Sequence, residues 1–452
     1  MTSLKVAVIG AGPAGLAAAR ALQQAGLTPT VLEQAASVGG SWRYPGGPMY
    51  RNLRTIIPME IMAYRELPWQ GISSFPSHDQ VCNYLQDYAK EFELESFVSY
   101  QSQVTKVSLT SSTSSASSPP NEECLQFHLE WQTASEDGNA RLVKSSENFD
   151  AVMVCNGHNA QPTIPNIPGL EEYFQGALMH SFDYDAPESI ITKPNARLLL
   201  IGAGASGSDI ARELLSSPDS TCQVYLSDES QTGPPQQEQL RPNFTWCSRV
   251  SRLHPDGSIE LACSTILDPV DTILFCTGYD YHFPFLNNNH GTTTPATLDC
   301  IPGQRRVGPL YQQLWHAQHS NFSFLGVPFF VLPFPLVELQ AQAVVAQLLE
   351  CQLPLESERM ASAQKDYESP RPHLLGQAQW DYCTKTMARW ARLDTTKDDT
   401  FVAYWETNRA IWDHTFDQRQ DKLANDDYRR FSYTRDDSRQ SFHVKEVDKT
   451  ES

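Results

Sequence analysis

Short, uninterrupted apolar runs along this chain alternate with glycine-bearing turns and helix-spaced segments, the order a parallel α/β fold requires. Val6-Ala-Val-Ile9 reads as a buried strand, Gly10, Gly12 and Gly15 as the turn after it, and residues 16–24 as a helix stopped by Gly26. Residues 28–32 predict the next strand, which ends at Glu33. The same order returns in mid-chain. Residues 198–201 predict a buried strand, Gly202, Gly204 and Gly207 a turn, residues 210–215 a helix, and residues 222–226 a strand ending at Ser227-Asp228-Glu229. Residues 151–157 and 272–279 add further buried strands, each running into a glycine.

The remaining pattern fills in around these two units. Val81, Tyr84, Leu85, Tyr88 and Ala89 share one face of a helix predicted over residues 81–92. Residues 104–109 and 125–131 predict paired strands, separated by a Ser/Pro-rich stretch at 110–123 that reads as a mobile surface loop. A proline-rich extended exit (residues 162–169) precedes the second unit, and a proline- and glutamine-rich loop (residues 232–242) lies inside it. Pro333 and Pro335 suit the first turn of a helix predicted over 336–348. Trp405, Trp412 and Phe416 fall on one helical face and are expected to pack, while residues beyond about Arg430 have few apolar groups to bury. The fold class expected is α/β, with two dinucleotide-binding (Rossmann-like) domains, the second inserted in the first. The first spans residues 1–165 and 290–430, the second 166–289, and 431–452 forms a loosely ordered tail.

Length and composition narrow the function. The 452 residues suffice for two or three domains, and a formal net charge of -19 argues against nucleic acid or an anionic membrane surface as partner. The ten cysteines include no CxxC pair, so neither a zinc site nor a dithiol redox centre is expected. Residues 1–5 lead directly into a strand with no room for a signal peptide, and the apolar stretch at 322–339 is too short and too broken by proline to cross a bilayer. A cytoplasmic protein is expected, and its oligomeric state is not legible.

The glycines carry the chemistry. A turn of this kind lets backbone approach a pyrophosphate, and the helix that follows supplies N–H donors and positive dipole. Glu33 stands at the distance from the first turn at which an acid accepts both hydroxyl hydrogens of an adenosine ribose. Val38-Gly39-Gly40-Ser41-Trp42 follows, paired glycines that allow a second backbone segment against the cofactor, with Trp42 either covering its rings or packing.

At this point the chain resembles the flavin-containing monooxygenases. Phe174-x-Gly176-x-x-x-His180-x-x-x-Tyr184 has the form of that family's identifying linker and lies between the two glycine fingerprints. Asn156-Gly157-His158 and Thr277-Gly278-Tyr279 also fall where the family has matching motifs. The resemblance implies FAD at Gly10, Gly12, Pro13, Ala14, Gly15, Glu33, Gly40, Ser41, Trp42, Ile56 and Val104. It implies NADPH (NADH possible) at Thr55, Gly202, Gly204, Ser206, Gly207, Ser208, Asp209 and Ser227. The implied activity is an FAD-dependent monooxygenase of the N,N-dimethylaniline type. Hydride passes from NAD(P)H to flavin, O2 adds as a C4a-hydroperoxide, and a soft nitrogen or sulfur of a small molecule takes one oxygen. The alternatives are an NAD(P)H oxidase or a Baeyer–Villiger-type oxygenase of the same fold. No catalytic side chain is assigned and no metal is implied. Two features depart from the family: Ile56 stands where an asparagine is usual, which predicts imperfect coupling, and Asp228 and Glu229 stand where an arginine usually pairs the 2′-phosphate of NADP.

Overall fold

Runs that are apolar at every position form strands buried on both faces, and these organise two parallel sheets. In the computed structural model the described residues are 4–111, 125–134, 142–216, 221–239, 241–286, 305–350, 353–395, 397–419 and 426–447. The Ser/Pro-rich stretch read as a loop and the expected boundary at 289/290 therefore lie largely outside them. The elements that position the site are β1 (Val6–Ile9), α1 (Pro13–Gln24), β2 (Pro29–Leu32), β3 (Ala151–Val154), β4 (Arg197–Ile201), α2 (Ala205–Ser216), β5 (Gln223–Ser227), β6 (Thr272–Phe275), β7 (Phe322–Phe324), α3 (Pro333–Glu350), α4 (Asp399–Gln418), β8 (Phe431–Asp436) and β9 (Ser441–Glu446).

In the first sheet β7, β3, β1, β2 and Val98–Ser99 lie side by side and parallel, with a short antiparallel edge at Leu310–Tyr311 and Trp315–His316. Phe244–Cys247, β5, β4, β6 and Ala177–His180 form the parallel body of the second. The chain leaves the first sheet after β3, completes the second, and returns at β7, so the second unit is inserted in the first. An alanine-rich face of α1 (Ala17, Ala18, Ala21) packs in one core with Ala341, Val344 and Val345 of α3.

Local signals account for several shifted boundaries. The helix expected at 81–92 starts earlier, at His78–Glu91, because Ser77 and Gln80 form a reciprocal capping box. A third strand, Leu142–Phe149, joins the expected pair Ser102–Ser111 and Leu125–Ala134. It is mostly exposed and lacks the apolar alternation that announces a strand. The tail is a correction: β8 and β9 form a regular antiparallel hairpin. It packs Tyr433, Phe431 and Phe442 on the core of the first unit and adds polar anchors. Tyr433 N–H donates to Ser74 Oγ at 2.9 Å, and Arg435 donates to Glu60 O at 3.0 Å and stacks over Tyr404 at 4.5 Å.

Glu338 of α3 is 8% exposed, accepts the Arg65 N–H at 3.0 Å with one oxygen, and leaves the other without a partner among the described residues. Burial pushes its carboxyl up to about 7 from the ordinary 4.5. The folded chain thus holds this proton more tightly than the unfolded one. The associated stability is complete below pH 4.5 and is lost as pH rises to about 7. Glu338→Gln keeps an acceptor for Arg65 and carries no charge. Thermal melts should show it more stable than wild type at pH 8, by up to about 3 kcal/mol, with the difference closing toward pH 4.5. A gain that does not change with pH would contradict this assignment.

Candidate functional site

The two units turn alike. Gly10 at φ +101° and Gly202 at φ +104° end their strands in the left-handed region. A Cβ there would lie 2.7 Å from Cys155 O and 2.5 Å from Cys276 O, the exits of β3 and β6. The third glycine seats the helix on its turn, since a Cβ at Gly15 would lie 1.8 Å from Gly10 O and one at Gly207 1.9 Å from Gly202 O. The middle glycines differ. Gly12 faces Gly40, whose Cα would lie 3.2 Å from a Cβ, whereas a Cβ at Gly204 would meet nothing within 4 Å.

The first unit brings Gly10, Gly12, Pro13, Ala14, Gly15, Glu33, Gly40, Ser41 and Trp42 together. Gly39 N–H donates to Ala11 O at 3.1 Å, so the single helical turn Gly40–Trp42 lies on the glycine turn itself, and Trp42 meets Phe334 edge-on at 6.4 Å. The paired glycines thus serve turn-on-turn packing. Glu33 is 4% exposed and accepts from Ala11 N–H at 2.6 Å and Ala35 N–H at 2.8 Å. One bond per oxygen leaves about half of a carboxylate's acceptor sites for hydroxyl hydrogens. Helix α1 starts at Pro13 with no side-chain cap and no acid in its first turn, leaving N–H donors for an anion. These features fit a flavin adenine dinucleotide. Val104 sits one strand away, where Ser102 N–H donates to Glu33 O at 2.8 Å, with its side chain in the core beside Ile9 and Leu32.

In the second unit Gly204 is exposed and Ser206 half-buried at the start of α2. Three other expected side chains are engaged within the protein. Ser208 Oγ donates to Ala203 O at 3.2 Å, Ser227 Oγ to Ser248 O at 3.1 Å, and the Asp209 carboxylate is held by Arg212 and Arg429. The Asp209 carboxylate therefore faces the junction between the units. Asp228 follows β5, and its carboxylate accepts the Ser230 N–H at 3.0 Å.

Thr55 and Ile56 lie where the units meet. Tyr50 and Leu53, just before them, pack in the core of the second unit, and Ile57, just after, packs in that of the first. Arg429 pins this crossing. Its Nε donates to Thr55 O at 2.9 Å, and its Nη2 to Arg54 O at 3.1 Å and Asp209 Oδ2 at 2.7 Å. Nη1 donates to Asp426 Oδ1 at 2.8 Å. Arg419 Nη1 reaches Ile56 O at 3.5 Å. Ile56 itself is half-buried, and Thr55 Oγ1 is buried without a partner among the described residues. Nothing in the local pattern around Arg419 or Arg429 announces these roles, because their contacts with residues 54–56 and with Asp209 span hundreds of residues.

The linker motif completes the junction. Tyr184 packs edge-on to Tyr50 at 5.5 Å and donates to Glu213 Oε2 at 2.8 Å. His180 accepts the Phe182 N–H at 3.0 Å and meets the ring of Tyr279 at 5.2 Å, so Thr277-Gly278-Tyr279 and the linker support each other. Asn156 donates to His282 O at 2.9 Å, and His158 lies 5.5 Å from the ring of Tyr281. Among the described residues no group of His, Cys, Asp or Glu is arranged to hold a metal, and no helix is long and apolar enough to cross a membrane.

Comparison with known proteins agrees with this geometry. The family described as flavin-binding monooxygenase-like matches residues 3–233. The flavin-containing monooxygenase FMO GS-OX-like 3 of Arabidopsis thaliana is 33% identical over 453 residues, covering 90% of this chain and 94% of that protein. FMO GS-OX5 of the same plant is 32% identical, covering 84% of each. The solved S-allyl-L-cysteine S-oxygenase from Allium sativum superposes with a TM-score of 0.78 at 29% identity, covering 97% of both chains. Cyclohexanone monooxygenase, at 13% identity and a TM-score of 0.53, shares the fold. With two glycine-turned units, the second inserted in the first, and these relatives, the chain belongs to the flavin-containing monooxygenase family.

Proposed function

We propose that this flavin-dependent monooxygenase oxygenates the sulfur of a small thioether: R–S–R′ + O2 + NAD(P)H + H⁺ gives the sulfoxide, water and NAD(P)⁺. The observation that carries this reading is the Thr55–Ile56 crossing, pinned by Arg429 between the two units, where a flavin and a nicotinamide held by the two glycine turns would meet. The choice of sulfur is supported by the S-oxygenase in the same fold. We assign FAD to residues 1–165 and 290–430, with Gly10, Gly12, Gly15 and Glu33 as its main contacts, and the nicotinamide cofactor to residues 166–289 through Gly202, Gly204, Ser206 and Gly207.

When bound, the flavin accepts hydride from the nicotinamide and delivers one atom of O2 to the substrate. The protein's share is positional. The start of α1 neutralises the diphosphate, Glu33 accepts ribose hydroxyls, and Ile56 presents an apolar wall that excludes water but donates no hydrogen bond. NAD(P)H consumption and peroxide release, followed together, test the reading. Thioethers should raise consumption and lower peroxide per NAD(P)H, and amines should not; preferential amine oxygenation would overturn it.

The coenzyme follows from charge. A carboxylate at Asp228, with Glu229 beside it, repels a 2′-phosphate and can accept ribose hydroxyls instead. NADH should therefore match or exceed NADPH in kcat/KM, and Asp228→Arg should move the ratio toward NADPH by about ten-fold. A large NADPH advantage that disappears in Arg241→Ala would contradict this and name Arg241 as the phosphate's anchor.

A further inference from the structure

The charged groups at the junction include Arg212, Arg419 and Arg429 and the carboxylates of Asp209 and Asp426. Arg429 pairs with Asp209 at 2.7 Å and Asp426 at 2.8 Å, and Arg212 with Asp426 at 2.5 Å and with Asp209. Arg419 is the third of these cations. Its one side-chain hydrogen bond among the described residues is the 3.5 Å contact to Ile56 O, and it makes no ion pair with them. The head group lies over the rings of Phe416, at 5.1 Å, and Tyr428, at 5.4 Å. Burial lowers its pKa and Arg429 and Arg212 push the same way, against the opposing pull of Tyr428 and of the Asp209 carboxylate, which Arg212 and Arg429 already hold. A half-buried guanidinium for which the described residues supply one long hydrogen bond and no ion pair, in a chain of net charge -19, has donors to offer an anion.

The surroundings indicate which anion. Phe330 is 51% exposed although large and apolar, and it is held at φ +59° against Phe416 at 5.3 Å and Trp412 at 5.7 Å. It lies on the connection between Gly326, which approaches Ala14 at the start of α1, and Pro333, which opens α3. An exposed aromatic wall, a guanidinium that forms no ion pair with the described residues, and Ile56 thus come together at the end of the first unit where its glycine turn lies.

We propose that Arg419 is the anion anchor of the substrate pocket, and that preferred substrates are small thioethers bearing a carboxylate. The carboxylate meets Arg419, the alkyl arm lies on Phe330 and Phe416, and the sulfur points to the Ile56 side. This rests on the S-oxygenation reading and specifies its substrate class. The guanidinium and carboxylate are matched for a charge-assisted, two-point contact.

The test compares S-methyl-L-cysteine with S-methylcysteamine, which keeps the thioether and the amine and lacks the carboxylate. Sulfoxide formation is measured on the flavin-loaded enzyme. Wild type should favour the carboxylate substrate by about ten-fold or more in kcat/KM, mainly through KM. Arg419→Met should bring that ratio near one, raising the KM of S-methyl-L-cysteine well beyond any change it makes for S-methylcysteamine or in the nicotinamide KM, and Arg419→Lys should recover part of it. Three results overturn the proposal: no preference in wild type, which requires no variant to fold; a ratio unchanged by Arg419→Met; or a raised nicotinamide KM in its stead, which assigns the guanidinium to the cofactor. A wild type that consumes NAD(P)H and oxygenates amines but neither thioether overturns the S-oxygenation reading as well, so the two failures are distinguishable.

Discussion

Gly204→Val should raise the KM for both NADH and NADPH by ten- to a hundred-fold while leaving flavin content and thermal stability as in wild type. The separation comes from the contrast among the glycines. A Cβ at Gly204 meets nothing within 4 Å, and its carbonyl already accepts the first helical bond of α2, from Ser208 N–H at 3.0 Å. A larger side chain there therefore costs the fold little, with melting expected within about 1 °C of wild type. It does fill the space through which a pyrophosphate approaches the helix N-terminus. Losing one or two charge-assisted N–H bonds, at about 1.5–3 kcal/mol each, sets the magnitude. The same change at Gly207 must fail as a fold, because a Cβ there lies 1.9 Å from Gly202 O. Steady-state kinetics beside a melt and a flavin absorbance ratio decide the matter. An unchanged nicotinamide KM in Gly204→Val would move that cofactor away from the second turn.

Arg429→Met is expected to be strongly destabilising at the Thr55–Ile56 crossing. It removes the partner of Asp209 from a spot where the two side chains are 6% and 8% exposed, and it strips the carbonyls of Arg54 and Thr55 of their donors. Breaking one side of a buried ion pair costs about 3–5 kcal/mol, since the remaining charge stays buried. Arg212 still reaches Asp209 and holds the loss toward the lower end. Adding Asp209→Asn should then restore part of the melting temperature, as the stranded charge is gone. The loop with Thr55 and Ile56 would remain loose in both variants, so peroxide released per NAD(P)H should rise in the double variant even as stability recovers. Wild-type melting in Arg429→Met would show that the crossing is held by packing of Tyr50 and Leu53 alone.

What could be read in advance divides by the range of the interactions. The two dinucleotide units were legible because their cause is local. A glycine at a strand end, another at a helix start and an acid at the next strand end need only neighbouring backbone to explain them, and Gly10, Gly15, Gly202 and Gly207 each clash with backbone of their own unit. Hairpin β8–β9 was not legible because its stability is borrowed. Tyr433 and Arg435 are anchored by Ser74 and Glu60, more than three hundred residues away, so a polar stretch with little alternation is nevertheless ordered. The partner of the Asp209 carboxylate was likewise out of reach of local pattern, as Arg429 lies 220 positions on. Arg419 shows the limit most plainly, since its contact with Ile56 spans 363 positions. Conversely, the substitution of Ile56 for the usual amide was visible at once, and its place at the pinned crossing gives that departure a physical setting.

The account stands on oxygen transfer to sulfur driven by a reduced nicotinamide, and isotopic oxygen tests that directly. The purified flavoprotein is supplied with ¹⁸O2, NADH or NADPH and S-methyl-L-cysteine, and the product is weighed by mass spectrometry beside the nicotinamide consumed. The predicted result is a sulfoxide carrying one ¹⁸O, formed in a fixed ratio to NAD(P)H, with labelled peroxide making up only the remainder. Full consumption of NAD(P)H with equimolar labelled peroxide and no sulfoxide from any thioether would contradict it and leave an oxidase in place of an oxygenase.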